Sequence, residues 1–146
     1  MRNDLVLEIP SDPSAIEHAV ELVVRRCENS DCCRRRLELN FRVGLMEALA
    51  NAVFYGNRED PEKCIRLEIA ILSHAIEARV TDEGNGFDPE EVPDPTMPEN
   101  IQRPGGRGLF LMRKLMDEVY FNDAGNSVTL VLHLETPAPL DEVASA

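Results

Sequence analysis

Hydrophobic residues recur at three- and four-residue spacing in three stretches of the sequence, which predicts three helices. The first helix is expected to begin at Pro13, with Asp12 as its capping residue, and to end near Glu28. Its predicted core face consists of Ile16, Val20, Val23, Val24 and Cys27.

The second predicted helix is capped by Ser30 and Asp31 and ends at Gly56 and Asn57. Phe54, near its end, is expected in the core. The rest of its predicted core face consists of Leu37, Phe41, Leu45, Ala48 and Ala52. The third helix is expected to open at residues 105–108, with a core face made of Leu109, Met112, Leu115, Met116 and Val119.

Strict alternation of hydrophobic and polar residues predicts a hairpin over residues 65–71 and 76–81, joined at Ser73 and His74. A two-residue turn there pairs Glu68 with Arg79 on the solvent face and Leu67 with Val80 on the core face. Residues 5–9 predict a short strand, and residues 120–121 and 128–134 predict a final hairpin around the turn 123–126. The pattern is typical of an antiparallel sheet with helices on one side.

The second helix carries a polar face among its hydrophobic neighbours. Helical spacing aligns Asn40, Gly44, Glu47, Asn51 and Tyr55. Such a face usually points to solvent. Because an interior glycine costs roughly 1 kcal/mol relative to Ala, Gly44 indicates instead that something packs closely against this face.

The length of 146 residues suits one compact domain, predicted over residues 1–135, with a flexible tail over 136–146. With 15 basic and 27 acidic residues the net charge is −12, which argues against direct nucleic-acid binding and against a polybasic membrane surface. No basic segment followed by an apolar segment opens the chain, and the apolar runs are too short to cross a bilayer. A reduced, cytoplasmic setting is therefore expected.

The cysteines and the basic run at residues 34–36 have ordinary interpretations. Cys27, Cys32, Cys33 and Cys64 form no C-x-x-C pair and have no nearby His at zinc spacing, so a zinc site is not expected. Packing and one exposed thiol account for the adjacent pair at residues 32–33. The three arginines at residues 34–36 could bind a phosphate or a partner, but a solvated helix face is the favoured interpretation.

Three clusters carry the candidate chemistry: Glu47 and Asn51 on the second helix, Asp82, Gly84 and Gly86 after a strand, and Gly105, Gly106 and Gly108 before the third helix. The last cluster suits a phosphate, since glycines let backbone N–H groups approach an anion at the positive end of a helix. Alone it is a weak signal, because glycine-rich turns before helices are common. The second cluster could equally be a strand-ending turn. Between them, residues 87–104 include five prolines and no hydrophobic periodicity, which is typical of a functional lid.

In this order the three clusters resemble the ATP-binding domain of the GHKL superfamily, which includes type II topoisomerases, Hsp90 chaperones, histidine kinases and mismatch-repair ATPases. The short single-domain form, with the run Gly-Leu-Phe-Leu-Met-Arg-Lys-Leu-Met-Asp-Glu-Val ending at residue 119, is most similar to the anti-sigma-factor serine kinases. The resemblance covers roughly residues 11–134. It implies an α+β fold: a two-layer sandwich of the Bergerat type, with a mixed, mostly antiparallel sheet and three helices on one face.

The resemblance also implies roles for individual residues. Asp82 would accept a hydrogen bond from the adenine amino group, and Gly84 and Gly86 would let the base and ribose approach the backbone. Asn51 would ligate the Mg²⁺ that bridges the phosphates of ATP, in keeping with the preference of Mg²⁺ for oxygen ligands. Glu47 would be the general base that takes the proton of the attacking hydroxyl.

The glycines Gly105, Gly106 and Gly108 would wrap the β- and γ-phosphates. The sequence departs from the kinase pattern in having no lysine over residues 87–108, so Arg103 or Arg107 would have to meet the γ-phosphate charge. Tyr55 and Asn57 flank the implied site and are expected to have peripheral roles only.

Among the members of the superfamily, Glu47 favours a serine or water nucleophile, since a histidine nucleophile needs little help in losing a proton. His18, His74 and His133 do not lie in a phosphoacceptor-like helical context, which argues against a self-contained histidine kinase. The resemblance thus implies a serine/threonine protein kinase that acts as an anti-sigma factor and phosphorylates an anti-anti-sigma partner. It also implies a homodimer.

Two other interpretations remain. The protein could be an ATP-binding regulatory module that holds a partner and transfers phosphate weakly or not at all. A nucleotide-free structural domain would require all three clusters to be coincidental.

Overall fold

The computed structural model describes residues 3–30, 32–85 and 106–134. The predicted lid and tail lie outside these ranges, so the predicted domain boundary and the flexible tail stay predictions. Among the described residues five strands form one sheet: β1 (Leu5–Pro10), β2 (Cys64–Ile71), β3 (Ala75–Thr81), β4 (Glu118–Phe121) and β5 (Ser127–His133).

The strands lie in the order β1-β2-β3-β5-β4, and each adjacent pair in the described sheet is antiparallel. The helices are α1 (Pro13–Cys27), α2 (Arg42–Asn51) and α3 (Gly106–Leu115). Wider, π-helical segments flank α2 directly at Arg36–Phe41 and Ala52–Gly56. All three helices contribute to one hydrophobic core with the inner sheet face, so the predicted α+β sandwich is confirmed.

The inner and outer positions of the sheet follow the predicted alternation. The β2–β3 register pairs Glu68 with Arg79 and Leu67 with Val80, as the sequence predicted. Its turn is closed by a hydrogen bond of 2.8 Å from the Leu72 N–H to the carbonyl of Ala75. The buried helix positions agree as well, since every residue of the predicted core faces of α1 and of the second helical stretch from Leu37 to Ala52 is buried.

The solvent face predicted for Glu68 is wrong, because this residue is only 4% exposed. Arg79 covers it with two hydrogen bonds, Nε to Oε1 at 3.0 Å and Nη2 to Oε2 at 2.7 Å. Asn3 donates a third bond to Oε2 at 3.1 Å. The hydrogen bonds from Arg79 lower the pKa of Glu68, so this carboxylate is ionised and paired on the outer sheet face.

Three further expectations are corrected. Phe54 is 40% exposed, because Val53 takes the core position and each residue turns a helix by about 100°. Val119 belongs to β4 rather than α3: the Asp117 N–H bonds to the carbonyl of Val131 at 2.9 Å, which draws the chain into the sheet. Ser30 bonds to the Cys27 carbonyl and the Cys32 N–H, so it closes the turn after α1 instead of capping the next helix.

Candidate functional site

The face of α2 that carries Glu47 and Asn51 lies against the first turn of α3. A Cβ atom placed on Gly108 would be 3.0 Å from Oε2 of Glu47, 3.1 Å from Oδ1 of Asn51 and 3.3 Å from its Nδ2. The side chains of Glu47 and Asn51 therefore lie next to the space that a Cβ atom at residue 108 would occupy. The first and third predicted clusters come together at this point.

The same face of the second helical stretch packs on α3 farther from the site. Asn40 donates from Nδ2 to the carbonyl of Leu115 at 2.8 Å. A Cβ on Gly44 would be 2.9 Å from Sδ of Met116. The close approach that Gly44 indicated is thus the packing of α3. The polar face is neither a solvent face nor wholly a ligand face.

Glu47 and Asn51 are half-buried, and among the described residues neither side chain makes a hydrogen bond to another protein group. Burial raises the pKa of the Glu47 carboxyl above its ordinary range, because its charged form is partly removed from water. A carboxyl with a raised pKa beside a glycine backbone and a free amide is typical of a reactive site.

Asp82 follows β3 immediately and is held from two sides. Its N–H donates to the carbonyl of Asn126 at 2.9 Å, and Nδ2 of Asn126 donates back to the carbonyl of Asp82 at 3.2 Å. The Gly84 N–H donates to Oδ1 of the Asp82 carboxylate at 2.8 Å. Burial raises the pKa of Asp82, and the bond from Gly84 partly opposes that shift.

Gly56 joins the Asp82 segment to the end of the second helical stretch. A Cβ on Gly56 would lie 2.2 Å from Oδ2 of Asp82, and a Cβ on Gly84 would lie 2.0 Å from the carbonyl oxygen of Gly56. Neither residue 56 nor residue 84 could carry a side chain without displacing these atoms. Gly56 follows Asn51 by five residues, so its contact with Asp82 places that carboxylate beside the π-helical segment that follows α2.

A family model described as the histidine kinase-like ATPase domain matches residues 9–132. The chain belongs to this family. The predicted membership in this superfamily is therefore confirmed, and the matched residues include every element from α2 to α3 that forms the site.

Curated relatives of this ATPase domain carry the name serine-protein kinase RsbW, as the resemblance to the serine-kinase branch predicted. The protein of Oceanobacillus iheyensis is 32% identical over 58% of this chain and 57% of its own length. That of Listeria monocytogenes is 26% identical over 92% of this chain and 89% of its own length. That of Bacillus subtilis is 30% identical over 65% of this chain and 64% of its own length. The match thus spans little more than half of the first relative and nearly all of the second.

Among the residues predicted for the ATP site, the structure places Glu47 and Asn51 beside Gly108 at one point, and Asp82 beside Gly84 at another. Gly106 is the first residue of α3. Gly86, Arg103 and Gly105 lie outside the described residues, as does the side chain of Arg107. Their predicted roles stay predictions.

Sequence reasoning missed Gly56 and underestimated Asn57. The sequence pattern predicts only a helix end at Gly56. Its position next to the polar loop was the one signal that it could belong to the site. Asn57 was expected to be peripheral, yet it is 1% exposed and its side chain is fully engaged in hydrogen bonds. Tyr55, in contrast, is 51% exposed and lines an open groove with Gly84 and Asn85.

Within residues 3–30, 32–85 and 106–134, no three His, Cys, Asp or Glu side chains are grouped as a metal site would require. In the same part of the chain, every helix is too short or too polar to cross a membrane.

Proposed function

We propose that this ATPase-domain protein is an ATP-dependent serine/threonine protein kinase that acts as an anti-sigma factor and phosphorylates an anti-anti-sigma partner. The observation that carries the proposal is the contact of Gly108 with both Glu47 and Asn51. A carboxylate, an amide and the glycine-rich start of a helix meet there, and the atoms nearest to a Cβ placed on Gly108 belong to Glu47 and Asn51. This set suits a phosphate group with a metal and a general base.

The phosphate end of the site would be built from α2 and the start of α3. The first N–H groups of a helix have no partner within the helix and attract anions, so α3 suits the β- and γ-phosphates. Gly108 is essential to this arrangement, because any side chain would press on Glu47 and Asn51. The amide oxygen of Asn51 is a hard ligand of the kind that Mg²⁺ prefers.

The adenine end would be built around Asp82. With Oδ1 occupied by the Gly84 N–H, Oδ2 receives no hydrogen bond from the described residues and remains available to the adenine amino group. Gly56 and Gly84 present backbone instead of side chains beside this carboxylate, and their close contacts with Asp82 and with each other fix its position at the end of the second helical stretch.

Glu47 would act as the general base. When bound, Mg²⁺-ATP would supply the γ-phosphoryl group and the cation that neutralises its charge. Glu47 would take the proton of the serine or threonine hydroxyl as that oxygen attacks. The burial that raises the pKa of Glu47 makes it a better proton acceptor than an exposed glutamate at neutral pH.

The proposed partners and homodimer rest on the resemblance, and the proposed cytoplasmic setting rests on the sequence pattern. The relatives' name supports a protein serine as the acceptor of the phosphate. An anti-anti-sigma protein would be the substrate, and a sigma factor would be the protein held when that substrate is phosphorylated.

The test is phosphate transfer from labelled ATP with Mg²⁺ to a candidate anti-anti-sigma protein. We expect the wild type to label a serine or threonine of the partner protein. The Glu47→Gln variant should bind ATP without labelling the partner. Glu17→Gln, an exposed change on α1, is the matched control and should label as the wild type does. A wild type that binds ATP but labels no partner would favour the regulatory module that transfers phosphate weakly or not at all.

A further inference from the structure

A hydrogen-bond network joins the end of the second helical stretch to the segment that carries Asp82. Its centre is the buried amide of Asn57, which is 1% exposed. Oδ1 of Asn57 accepts from the N–H of Glu83 at 2.7 Å. Nδ2 of Asn57 donates to the carbonyl of Cys64 at 3.0 Å and to Oγ of Ser11 at 2.7 Å. Both ends of the amide are therefore engaged, and its orientation is fixed.

The network closes into a ring of three residues. The Cys64 N–H donates to Oε2 of Glu83 at 2.6 Å, so Asn57, Cys64 and Glu83 are each bonded to the other two. The β2–β3 pairing ends with Arg66 opposite Thr81. The ring lies two residues beyond that pair on each strand, and the Asn57 amide thus connects the strands where their own ladder has stopped.

Glu83 lies in the chain between Asp82, whose carboxylate would bind the adenine amino group, and Gly84, whose N–H bonds to that carboxylate. On one side, the Asp82 backbone is tied to Asn126 at the start of β5. On the other, the Gly84 N–H holds Oδ1 of Asp82. Because Gly84 follows Glu83 directly, a shift of the Glu83 peptide moves the N–H that directs the carboxylate. Asn57 is the side chain that holds the Glu83 peptide in place.

We infer that Asn57 is a positioning residue for recognition of the adenine amino group, acting through Glu83 and Gly84 on the Asp82 carboxylate. The inference rests on the proposed function, in which Asp82 accepts a hydrogen bond from that group. Asn57 touches neither the phosphates nor the general base in this scheme. Its loss should therefore change base selectivity more than phosphate binding.

The experiment compares binding of ATP and inosine triphosphate, each with Mg²⁺, to the purified full chain. Inosine triphosphate carries an oxo group where ATP carries the amino group, so the ratio of the two dissociation constants measures recognition of that group. Asn57→Ala should reduce the preference for ATP by about tenfold, the effect of one lost hydrogen bond in a site built for it. Its affinity for inosine triphosphate should change little.

Ser11→Ala is the matched control, because it removes one partner of the same buried amide. It leaves the bonds from Asn57 to Glu83 and Cys64 intact. We expect lower thermal stability and an unchanged preference for ATP. A loss of preference in Ser11→Ala equal to that in Asn57→Ala would overturn the inference, since general loosening of the fold would explain both.

Two other results separate the possible failures. A folded Asn57→Ala with the preference of the wild type overturns the role of Asn57 and leaves the proposed function standing. A wild type without any preference for ATP overturns the proposed role of Asp82, and the inference with it. If Asn57→Ala does not fold, amide hydrogen exchange on the wild type decides: the Glu83 N–H should be protected without nucleotide, and free exchange there would contradict the inference.

Discussion

Gly108 on α3 lies so close to Glu47 on α2 that a Cβ atom at position 108 would be 3.0 Å from Oε2 of the glutamate. Asn51 is at nearly the same distance from that position, 3.1 Å through its Oδ1. Residues 52–105 separate these two helices in the sequence, and the fold brings the side chains of Glu47 and Asn51 to one glycine. The geometry of the reactive end of the site therefore depends on the absence of a side chain at residue 108.

Gly108→Ala should impair phosphate transfer by about tenfold while the fold persists, since Glu47 and Asn51 must each move by a few tenths of an ångström to admit the Cβ, and catalysis depends on their position. Stability should change by less than about 1 kcal/mol, because Ala favours a helix over Gly by nearly that amount. Transfer assays and thermal melts measure the two effects.

Gly44→Ala is the control at the remote end of the same helix contact. Its Cβ would be 2.9 Å from Sδ of Met116, a flexible side chain away from Glu47. Stability should change by less than about 1 kcal/mol, because the helix preference of Ala over Gly offsets the shift that Met116 must make, and ATP binding should be retained. Equal transfer by Gly108→Ala and the wild type would contradict the assigned site.

Gly56→Ala should weaken ATP binding through the adenine end of the site. The added Cβ would be 2.2 Å from Oδ2 of Asp82, a separation that forces the carboxylate to move. We expect at least a tenfold increase in the dissociation constant of ATP, which corresponds to about 1.4 kcal/mol. Titration calorimetry measures it, and unchanged affinity would show that the position of the Asp82 carboxylate is unimportant for binding.

Much of the fold was predictable because local pattern and tertiary packing agree. The β2–β3 register follows from alternation and a two-residue turn, and the core positions of α1 follow from helical spacing. The errors lie where tertiary contacts override the local pattern. Glu68 alternates as a solvent residue and pairs with Arg79 as predicted, but the two hydrogen bonds from Arg79 and the added bond from Asn3 bury it, which alternation alone does not show.

The site was predictable to the extent that it depends on residue type. Glu47, Asn51 and Asp82 carry chemical groups whose order suggests their roles. Gly56 and Asn57 carry none that is distinctive, and their importance arises from contacts with residues 82–84. Because those contacts form between a helix end and a strand end, sequence spacing alone could not reveal them.

The rate of phosphate transfer should fall at low pH as the Glu47 carboxylate becomes protonated. The general base acts in its ionised form, and burial raises its pKa, so activity should start to fall at a higher pH than for an exposed glutamate. Single-turnover rates across pH measure this fall. Glu47→Gln should lower the rate by about 10²–10⁴-fold and remove the pH dependence.

The raised pKa of Glu47 affects stability in the direction opposite to activity: at lower pH the rate falls but the contribution of Glu47 to the free energy of unfolding rises. The folded state binds the proton of Glu47 more tightly than the unfolded chain does, so this residue makes the protein more stable as the pH falls toward the raised pKa. Glu47→Gln should therefore be at least as stable as the wild type at neutral pH. A marked loss of stability would indicate a structural role for this carboxylate.

Arg79→Ala should destabilise the protein by about 1–3 kcal/mol, because it leaves the buried Glu68 carboxylate without its main donors. Since Arg79 lowers the pKa of Glu68, their bond stabilises the fold above the unfolded-state pKa, and this contribution is lost as the pH falls through the folded-state pKa. Denaturant melts of Arg79→Ala across pH should therefore show a smaller loss of unfolding free energy at acid pH than melts of the wild type.

Arg66→Ala tests the specificity of this effect. Arg66 is half-exposed and reaches Glu68 only at 3.5 Å, so its removal should cost less than about 1 kcal/mol. If both variants lose the same stability, the bidentate pair is not the source of the effect.

The central claim is that Asp82 and the Glu47–Asn51–Gly108 contact form one ATP site, and the thermal stability of the full chain with ATP and Mg²⁺ tests it most directly. A hundredfold excess of ligand over its dissociation constant should stabilise the wild type by about 2.7 kcal/mol. Asp82→Asn keeps an oxygen for the Gly84 N–H and removes a charge that burial disfavours, so it should fold well yet lose most of that gain. A wild type whose melting temperature does not respond to ATP and Mg²⁺, or an Asp82→Asn variant that responds fully, would contradict the account.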